Sequence, residues 1–323
     1  MKGIKSFVKE KLYKAPPERL LKNFKSLTRE AQIDFEKILM STYYKDYNAD
    51  QLNDMKGGIK DQLTGRLQKF REQVVPWLDD AKHLNGSSIL EVGCGTGSST
   101  VAFAEQGAHV TAVDLDEDSL TVAKKRVSLH GVNANFVLGN GQEIDKMFQN
   151  EHFDVIIFSA TLEHMTYTER VSSLKAAYSL MKSGDLLSVV ETPNRLWFYD
   201  FHTALLPFYF WLPDELAFDY ASRSSRTNFS VVYKEKTPEK LLHFVRRGRG
   251  VSFHDFEIAF DGISGMNVVS CLETFRKKKF FRFITDRLKA RGYVRYKNFI
   301  QNHGPAYHEG FYEPWLDLIF QKT

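Results

Sequence analysis

Hydrophobic positions change their spacing twice along this chain. Over about the first eighty residues they recur at helical intervals. Met1–Lys14 carries Ile4, Phe7, Val8 and Leu12 between lysines, and Pro16-Pro17 stops that pattern. Glu18–Tyr44 continues with Leu20, Leu21, Phe24, Leu27, Ile33 and Phe35. Gly57-Gly58 marks a break, and the periodicity of Ile59–Leu84 predicts a long helix leading into a core.

From Ser87 the pattern becomes short apolar runs alternating with amphipathic segments. Strands are predicted at Ser88–Val92, His109–Asp114, Asn135–Leu138, Phe153–Ser159 and Asp185–Glu191. Helices are predicted at Ser98–Gln106, Glu117–His130 and Thr168–Met181. Strand–helix alternation at this spacing implies a parallel sheet covered on both faces. After Glu191 the regularity fails. The stretch Thr192–Gly250 is aromatic and punctuated by proline, and it ends in Arg246-Arg247-Gly248-Arg249-Gly250. A helix at Ser252–Phe260 and strands at Met266–Cys271 and Trp315–Phe320 resume the core, with a basic helix at Thr274–Arg291 between them.

The expected fold is therefore α/β: a doubly wound, mostly parallel, seven-stranded sheet of Rossmann-like type, with an N-terminal helical region and a helical lid insertion. The expected organisation is a helical region over 1–84 and a core over 85–193 and 251–323. A lid insertion occupies 194–250, and a basic helical insertion occupies 274–312. A structureless loop as long as the lid segment is uncommon inside a compact domain and is usually functional.

Composition narrows the class. The chain has 323 residues, enough for one sizeable core with additions. A net charge of +4 does not by itself indicate nucleic acid, and none is expected as a partner. The two cysteines, Cys94 and Cys271, form no disulfide framework. No apolar run approaches the roughly 20 residues that span a bilayer, and no signal peptide is evident. The expectation is a cytoplasmic protein. Peripheral contact with an anionic membrane surface is left open by the two basic amphipathic stretches, Met1–Lys14 and Arg276–Arg291.

The chemistry starts at Ile89-Leu90-Glu91-Val92-Gly93-Cys94-Gly95-Thr96-Gly97, a glycine turn between a strand and a helix. Such turns bring backbone N–H groups close to a ligand, but dinucleotide-binding proteins have them too. Asp114 ends the second strand, where a carboxylate can accept both hydroxyls of a ribose. Asn140 and Gly141 follow the third strand, and Asn140 could meet an adenine edge. Ser159-Ala160-Thr161-Leu162-Glu163-His164 follows the fourth. All these loops fall at strand carboxyl ends, where open parallel sheets bind ligands.

At these residues the chain resembles the class I S-adenosylmethionine-dependent methyltransferases. Glu91-Val92-Gly93-Cys94-Gly95-Thr96-Gly97 matches that family's first motif almost unchanged. Phe158–Met165 is similar to the branch containing quinone-biosynthesis and sugar-modifying enzymes. The resemblance implies S-adenosylmethionine as cofactor, with the loop of Gly93, Cys94, Gly95 and Gly97 around its methionine part; Glu91 and Ser159 are further candidate cofactor contacts. It further implies Asp114 on the ribose, with Leu115, Asn140 and Gly141 around the adenine. The family usually has an acid where Asn140 stands, and its Pro-Gly-Gly before the fifth strand is Ser183-Gly184-Asp185 here.

The implied reaction is methyl transfer to a small-molecule acceptor by in-line displacement, with O-methylation of a sugar, phenol or natural-product hydroxyl expected. Two histidines are candidate bases, His164 after the fourth strand and His202 in the insertion, with pure proximity as the alternative. Trp197, Tyr199, Arg223 and Arg226 are candidate acceptor contacts, set against a purely structural role for the aromatic and basic residues of the insertion. No cysteine–histidine spacing points to zinc, and no metal is expected. A lipid-linked acceptor and an NAD-dependent oxidoreductase using the same glycine turn are the alternatives.

Overall fold

Seven strands form one sheet in the order β3-β2-β1-β4-β5-β7-β6. They are β1 (Ser88–Val92), β2 (His109–Asp114), β3 (Asn135–Leu138), β4 (Val155–Ser159), β5 (Leu186–Pro193), β6 (Met266–Cys271) and β7 (Trp315–Lys322). These are seen in a computed structural model that describes residues 18–21, 24, 26–47, 52, 56–260, 262, 266–277, 291–305 and 307–323. The first five strands pair in parallel, while β7 runs antiparallel to both β5 and β6. This is the doubly wound, mostly parallel sheet expected from the sequence.

The central strands are apolar on both faces because both are covered. All five residues of β4 are buried, as the continuous run Val155-Ile156-Ile157-Phe158 requires of a parallel strand. One core packs β4 and β5 against helices Tyr167–Leu180 and Phe253–Ala259. The other packs β1 and β2 against the N-terminal helices and helix Ser98–Ala104. Asp116 caps helix Glu117–His130 through the amides of Asp118 and Ser119. Thr166 and Glu169 form a capping box on Tyr167–Leu180.

Two boundaries differ from expectation for identifiable reasons. The fourth strand starts at Val155 because the Asp154 carboxylate turns back to accept the Ser88 N–H at 2.9 Å. The predicted helix Ile59–Leu84 is helical from Lys56 to Ala81, but π-turns interrupt it at Asp61–Gly65 and Phe70–Val74. π-Turns re-aim the residues that follow and are frequent near functional sites. Here they flank Arg66 and Lys69, both of which reach the sheet edge. The Met1–Lys14 helix and most of the basic Thr274–Arg291 helix lie outside the described residues. Among the described residues, no helix is long and apolar enough to cross a membrane.

The insertion leaves the sheet and returns at one point. Arg195 N donates to Val251 O at 2.7 Å, and Val251 N to Pro193 O at 2.9 Å. Between them the segment builds a small core of its own, including Tyr209, Phe210, Phe218, Phe229 and Phe244. The neck is clamped by the buried Arg170. Its guanidinium donates to Leu162 O at 2.9 Å, Met165 O at 3.3 Å, Arg249 O at 3.3 Å, Gly250 O at 3.4 Å and Asp255 Oδ1 at 3.0 Å. Replacing Arg170 with leucine would leave the Asp255 carboxylate buried without its cation. The expected loss is about 3–5 kcal/mol, read from urea unfolding midpoints. Unchanged stability would show that the clamp is dispensable.

Candidate active site

The glycine turn closes on β2. Gly93 N and Cys94 N both donate to Val113 O, at 2.8 and 3.1 Å. Gly93, Gly95 and Gly97 all have left-handed backbones, with φ of 75, 51 and 78°. At Gly93 a Cβ would lie 2.4 Å from Thr161 Cγ2, and at Gly97 it would lie 2.9 Å from Ala123 Cβ. At Gly95 it would meet nothing within 4 Å. The first and third glycines are therefore packed, and the middle one faces open space, as a ligand cradle needs.

Asp114 is joined to that cradle. Its Oδ2 accepts the Gly95 N–H at 2.7 Å and its Oδ1 the Asp116 N–H at 3.0 Å. Burial raises its carboxyl above the ordinary value, against the pull of those amides. A carboxylate offers about four acceptor positions, so room remains for two hydroxyls. Helix capping falls to Asp116, which leaves Asp114 free for a ligand. Leu115 beside it is 65% exposed and Leu138 at the end of β3 is 56% exposed, an apolar shelf fit for a flat ring. Ser159 at the end of β4 has a buried Oγ without a partner among the described residues.

Other predicted cofactor residues are occupied locally. Glu91 is wholly buried, and both its oxygens receive hydroxyls, from Ser99 and, at 2.6 Å, from Thr100. It braces the turn against the next helix rather than facing the cradle. Cys94 is buried, and burial pushes its thiol well up, which removes it as a nucleophile. The Asn140 amide oxygen accepts the Gln142 N–H at 3.0 Å and so caps a short turn. Gly141 lies buried, with its Cβ direction 3.0 Å from Val92 Cγ1.

Folding brings the two histidines together. His164 and His202 have ring centroids 5.9 Å apart. Glu163, His164 and His202 each offer a ligand-type atom within 4.8 Å of the others. No metal site was expected from the sequence, yet this trio could hold an ion. His164 Nδ1 lies 2.9 Å from Arg246 O, so it must carry the proton, and Nε2 presents a lone pair. That Nε2 is 3.8 Å from Glu163 Oε1. Glu163 is fully buried, neither oxygen has a hydrogen-bond partner among the described residues, and burial raises its carboxyl. His202 is lowered to about 4, first by burial and then by His164 and Arg226, and is neutral at physiological pH.

The predicted acceptor residues divide. Trp197 is buried. Tyr199 donates its hydroxyl to Leu205 O at 2.9 Å. Arg226 is committed to His202 O and Thr203 O, at 2.7 and 2.9 Å. Arg223 is exposed and unpaired among the described residues.

Sequence reasoning missed a link across the cleft. Glu191, with φ 58°, ends the parallel register of β5 and pairs with Arg66 at 3.0 Å and with Lys69. Thr96 of the glycine turn donates to Gln62 Oε1 at 2.7 Å. One π-turned helix thus touches both the cradle and the β5 edge. The only signal in the sequence was an acid closing an apolar strand, the same pattern that singled out Asp114.

Glu91 also generates a pH dependence. Its carboxyl is raised to about 7 in the folded chain, mainly by burial, from an ordinary 4.5. The stability this contributes is complete below 4.5 and is lost as pH rises through 7, by no more than about 3 kcal/mol. Glu91→Gln should flatten stability against pH between 4.5 and 7 relative to the wild type in chemical denaturation. An identical slope in both proteins would contradict the assignment.

Comparison with known proteins agrees with this geometry. Residues 89–184 match a family described as methyltransferase domain. The ubiquinone biosynthesis O-methyltransferase of Pseudomonas fluorescens (strain Pf0-1) is 33% identical over 110 residues, 34% of this chain and 46% of that relative. Its counterpart in Nitrosospira multiformis is 33% identical over 108 residues, 33% of this chain and 44% of that relative. The chain thus spans about half the length of the curated relatives it matches. Among solved structures, magnesium protoporphyrin IX methyltransferase from Synechocystis PCC 6803 with bound SAH is 23% identical, with a TM-score of 0.36. That match covers 51% of this chain and 71% of the other. The glycine cradle and the Asp114 carboxylate thus lie within the stretch, residues 89–184, that matches a methyltransferase domain.

Proposed function

We propose that this protein transfers a methyl group from S-adenosylmethionine to a hydroxyl of a small-molecule acceptor. The observation that carries the reading is a juxtaposition. The Asp114-tied cradle ends β1 and β2, and the Glu163–His164–His202 cluster follows β4, the strand next to β1. Ligands of open α/β sheets bind at this point, where the strand order reverses. The names of the matched relatives add oxygen as the acceptor atom.

The Gly93–Gly97 turn and Ser159 would hold the methionine part, Asp114 the ribose hydroxyls, and Leu115 with Asn140 and Gly141 the adenine. Bound there, S-adenosylmethionine supplies a methyl group already activated by a sulfonium. His164 serves as proton acceptor through Nε2, since its other nitrogen is fixed on Arg246 O. Glu163 beneath it stabilises the imidazolium as that forms. His202 is kept neutral by its surroundings and positions His164 rather than taking the proton. Arg223, exposed and without an ion pair among the described residues, is available to an acidic acceptor.

A second reading rests on the bare, buried carboxylate of Glu163. In that reading the same trio holds a divalent cation, which would acidify the acceptor hydroxyl in place of a histidine base. Loss of activity in a chelator, restored by the added ion, would favour it. The oxidoreductase and lipid-linked readings gain no support from the matches.

Two variants separate binding from chemistry. Asp114→Ala should weaken S-adenosylhomocysteine binding about tenfold or more in calorimetry, because hydrogen bonds to a charged group are lost. His164→Gln should leave that binding unchanged. It should lower methyl transfer to a probe phenol such as 3,4-dihydroxybenzoate by roughly 10²–10⁴-fold. A wild-type protein that fails to bind S-adenosylhomocysteine would overturn the proposal.

A further inference from the structure

Outside the transfer site, three arginines share two carboxylates at the neck of the insertion, and Arg195 is the one of the three left without an ion pair among the described residues. Arg195 follows β5 at the neck of the insertion and is half-buried. Two ion pairs lie beside it, Arg170–Asp255 at 3.0 Å and Arg249–Asp214 at 2.9 Å. Each pair neutralises itself. The Arg195 guanidinium makes no hydrogen bond and no ion pair among the described residues, so this group of three arginines and two aspartates keeps one positive charge. Burial and the neighbouring Arg249 press its pKa below the ordinary value, and the opposing pull of Asp255 and Asp214, both paired with other arginines, does not offset them. Cations in such settings normally find a partner.

Arg195 lines a cleft of about 280 Å³ with Tyr167, Ser252, His254, Trp211 and Asp255, whose carboxylate is taken up by Arg170 and by the Ser252 N–H. Ser252 Oγ lies 3.1 Å from His254 Nδ1, which leaves the other ring nitrogen facing outward without a partner among the described residues. The cleft continues, through the shared Leu196 and Trp211, into a groove of about 400 Å³. That groove is almost wholly apolar and is walled by Phe253, Tyr296, Phe299 and Ile300. Trp211 is 46% exposed and Phe299 59% exposed. Trp211 stacks on Tyr296 at 6.4 Å, so the aromatic wall is continuous. Together the two spaces fall within the roughly 300–1,000 Å³ of small-molecule sites. Glu163, His164, Glu191 and His202 do not line them.

We propose that this composite groove binds a single-chain amphiphile with an anionic head, the carboxylate or phosphate on Arg195 and His254 and the chain along Trp211, Tyr296 and Phe299. The charge left over at one end and the apolar wall at the other select for both parts at once. Arginine holds carboxylate and phosphate in a two-pronged geometry, and the open aromatic wall accepts a chain without fixing its length. The site stands apart from the methyl-transfer reading, and its occupancy is measured without turnover.

The probes are dodecanoate and dodecyl phosphate below their micelle concentrations, with Trp211 fluorescence and calorimetry as parallel readouts on the full chain. Both should give saturable binding. Arg195→Gln should weaken them about tenfold or more while leaving uncharged dodecanol unchanged. Phe299→Ser, at an exposed position that folding does not require, should weaken all three. Trp211→Phe should abolish the fluorescence change and keep the calorimetric signal. The proposal is overturned if Arg195→Gln binds dodecanoate as the wild type does, or if inorganic phosphate alone binds as tightly as dodecyl phosphate. Binding of anionic vesicles without binding of monomeric dodecanoate would also overturn it.

Discussion

The loop after β4 and the neck of the insertion depend on one buried cation. Arg170 stands on a helix of the core and reaches the backbone on both sides of His164, through Leu162 and Met165. The same guanidinium holds the returning end of the insertion at Arg249 and Gly250 and the Asp255 carboxylate. Arg249 N in turn donates to Glu163 O at 2.8 Å. The loop with the candidate base and the lid that would cover it are therefore hung from one point. A guanidinium suits this because its planar fork presents five donors at fixed angles. An apolar residue could fill the volume but could not align four carbonyls.

The two halves of the cleft obtain their shape differently. On the donor side, left-handed backbone is assigned to glycines, at 93, 95 and 97. On the other side positive φ also falls on residues with side chains: Ala160 and Glu191 at strand ends, and Leu205 and Phe208 in the insertion, beside Gly248. Such residues cost energy to hold and persist where their surroundings over-determine them. Glu191 illustrates the compensation. Its N–H is taken by Asp317 Oδ1 at 2.7 Å, and its carboxylate by Arg66 and Lys69. The strained acid ties the N-terminal helix to the sheet edge, and that helix also reaches Thr96 in the cradle.

The sheet was legible because parallel strands buried on both faces write continuous apolar runs, and because Asp114 and the glycines punctuate them. The glycine turn and Asp114 could be placed from local sequence because they lie at strand ends within one span. What was not legible were side-chain commitments decided over long separations. Glu91 reads as a motif acid, but nothing in the motif says that Ser99 and Thr100 would claim both its oxygens. Arg226 reads as a free cation, yet two carbonyls of the insertion bind it. The Arg66–Glu191 pair spans 125 positions, and its geometry depends on π-turns that periodicity does not register. The meeting of His164 and His202 is the same kind of fact, since it needs the insertion to fold back over β4.

The contrast between two glutamates bears on how the site is poised. Glu91 and Glu163 are both fully buried, and burial raises both carboxyls. Glu91 is answered by two hydroxyls and serves the scaffold. The Glu163 carboxyl has no hydrogen bond among the described residues, and His164 Nε2 lies 3.8 Å from it. An unanswered buried carboxyl is costly, and that cost falls when a positive charge forms beside it. A proton gained by His164, or a cation held by the trio, would provide that charge. In the proposed reaction the buried Glu163 would therefore favour the positive charge that His164 gains on taking a proton, a form of preorganised electrostatics.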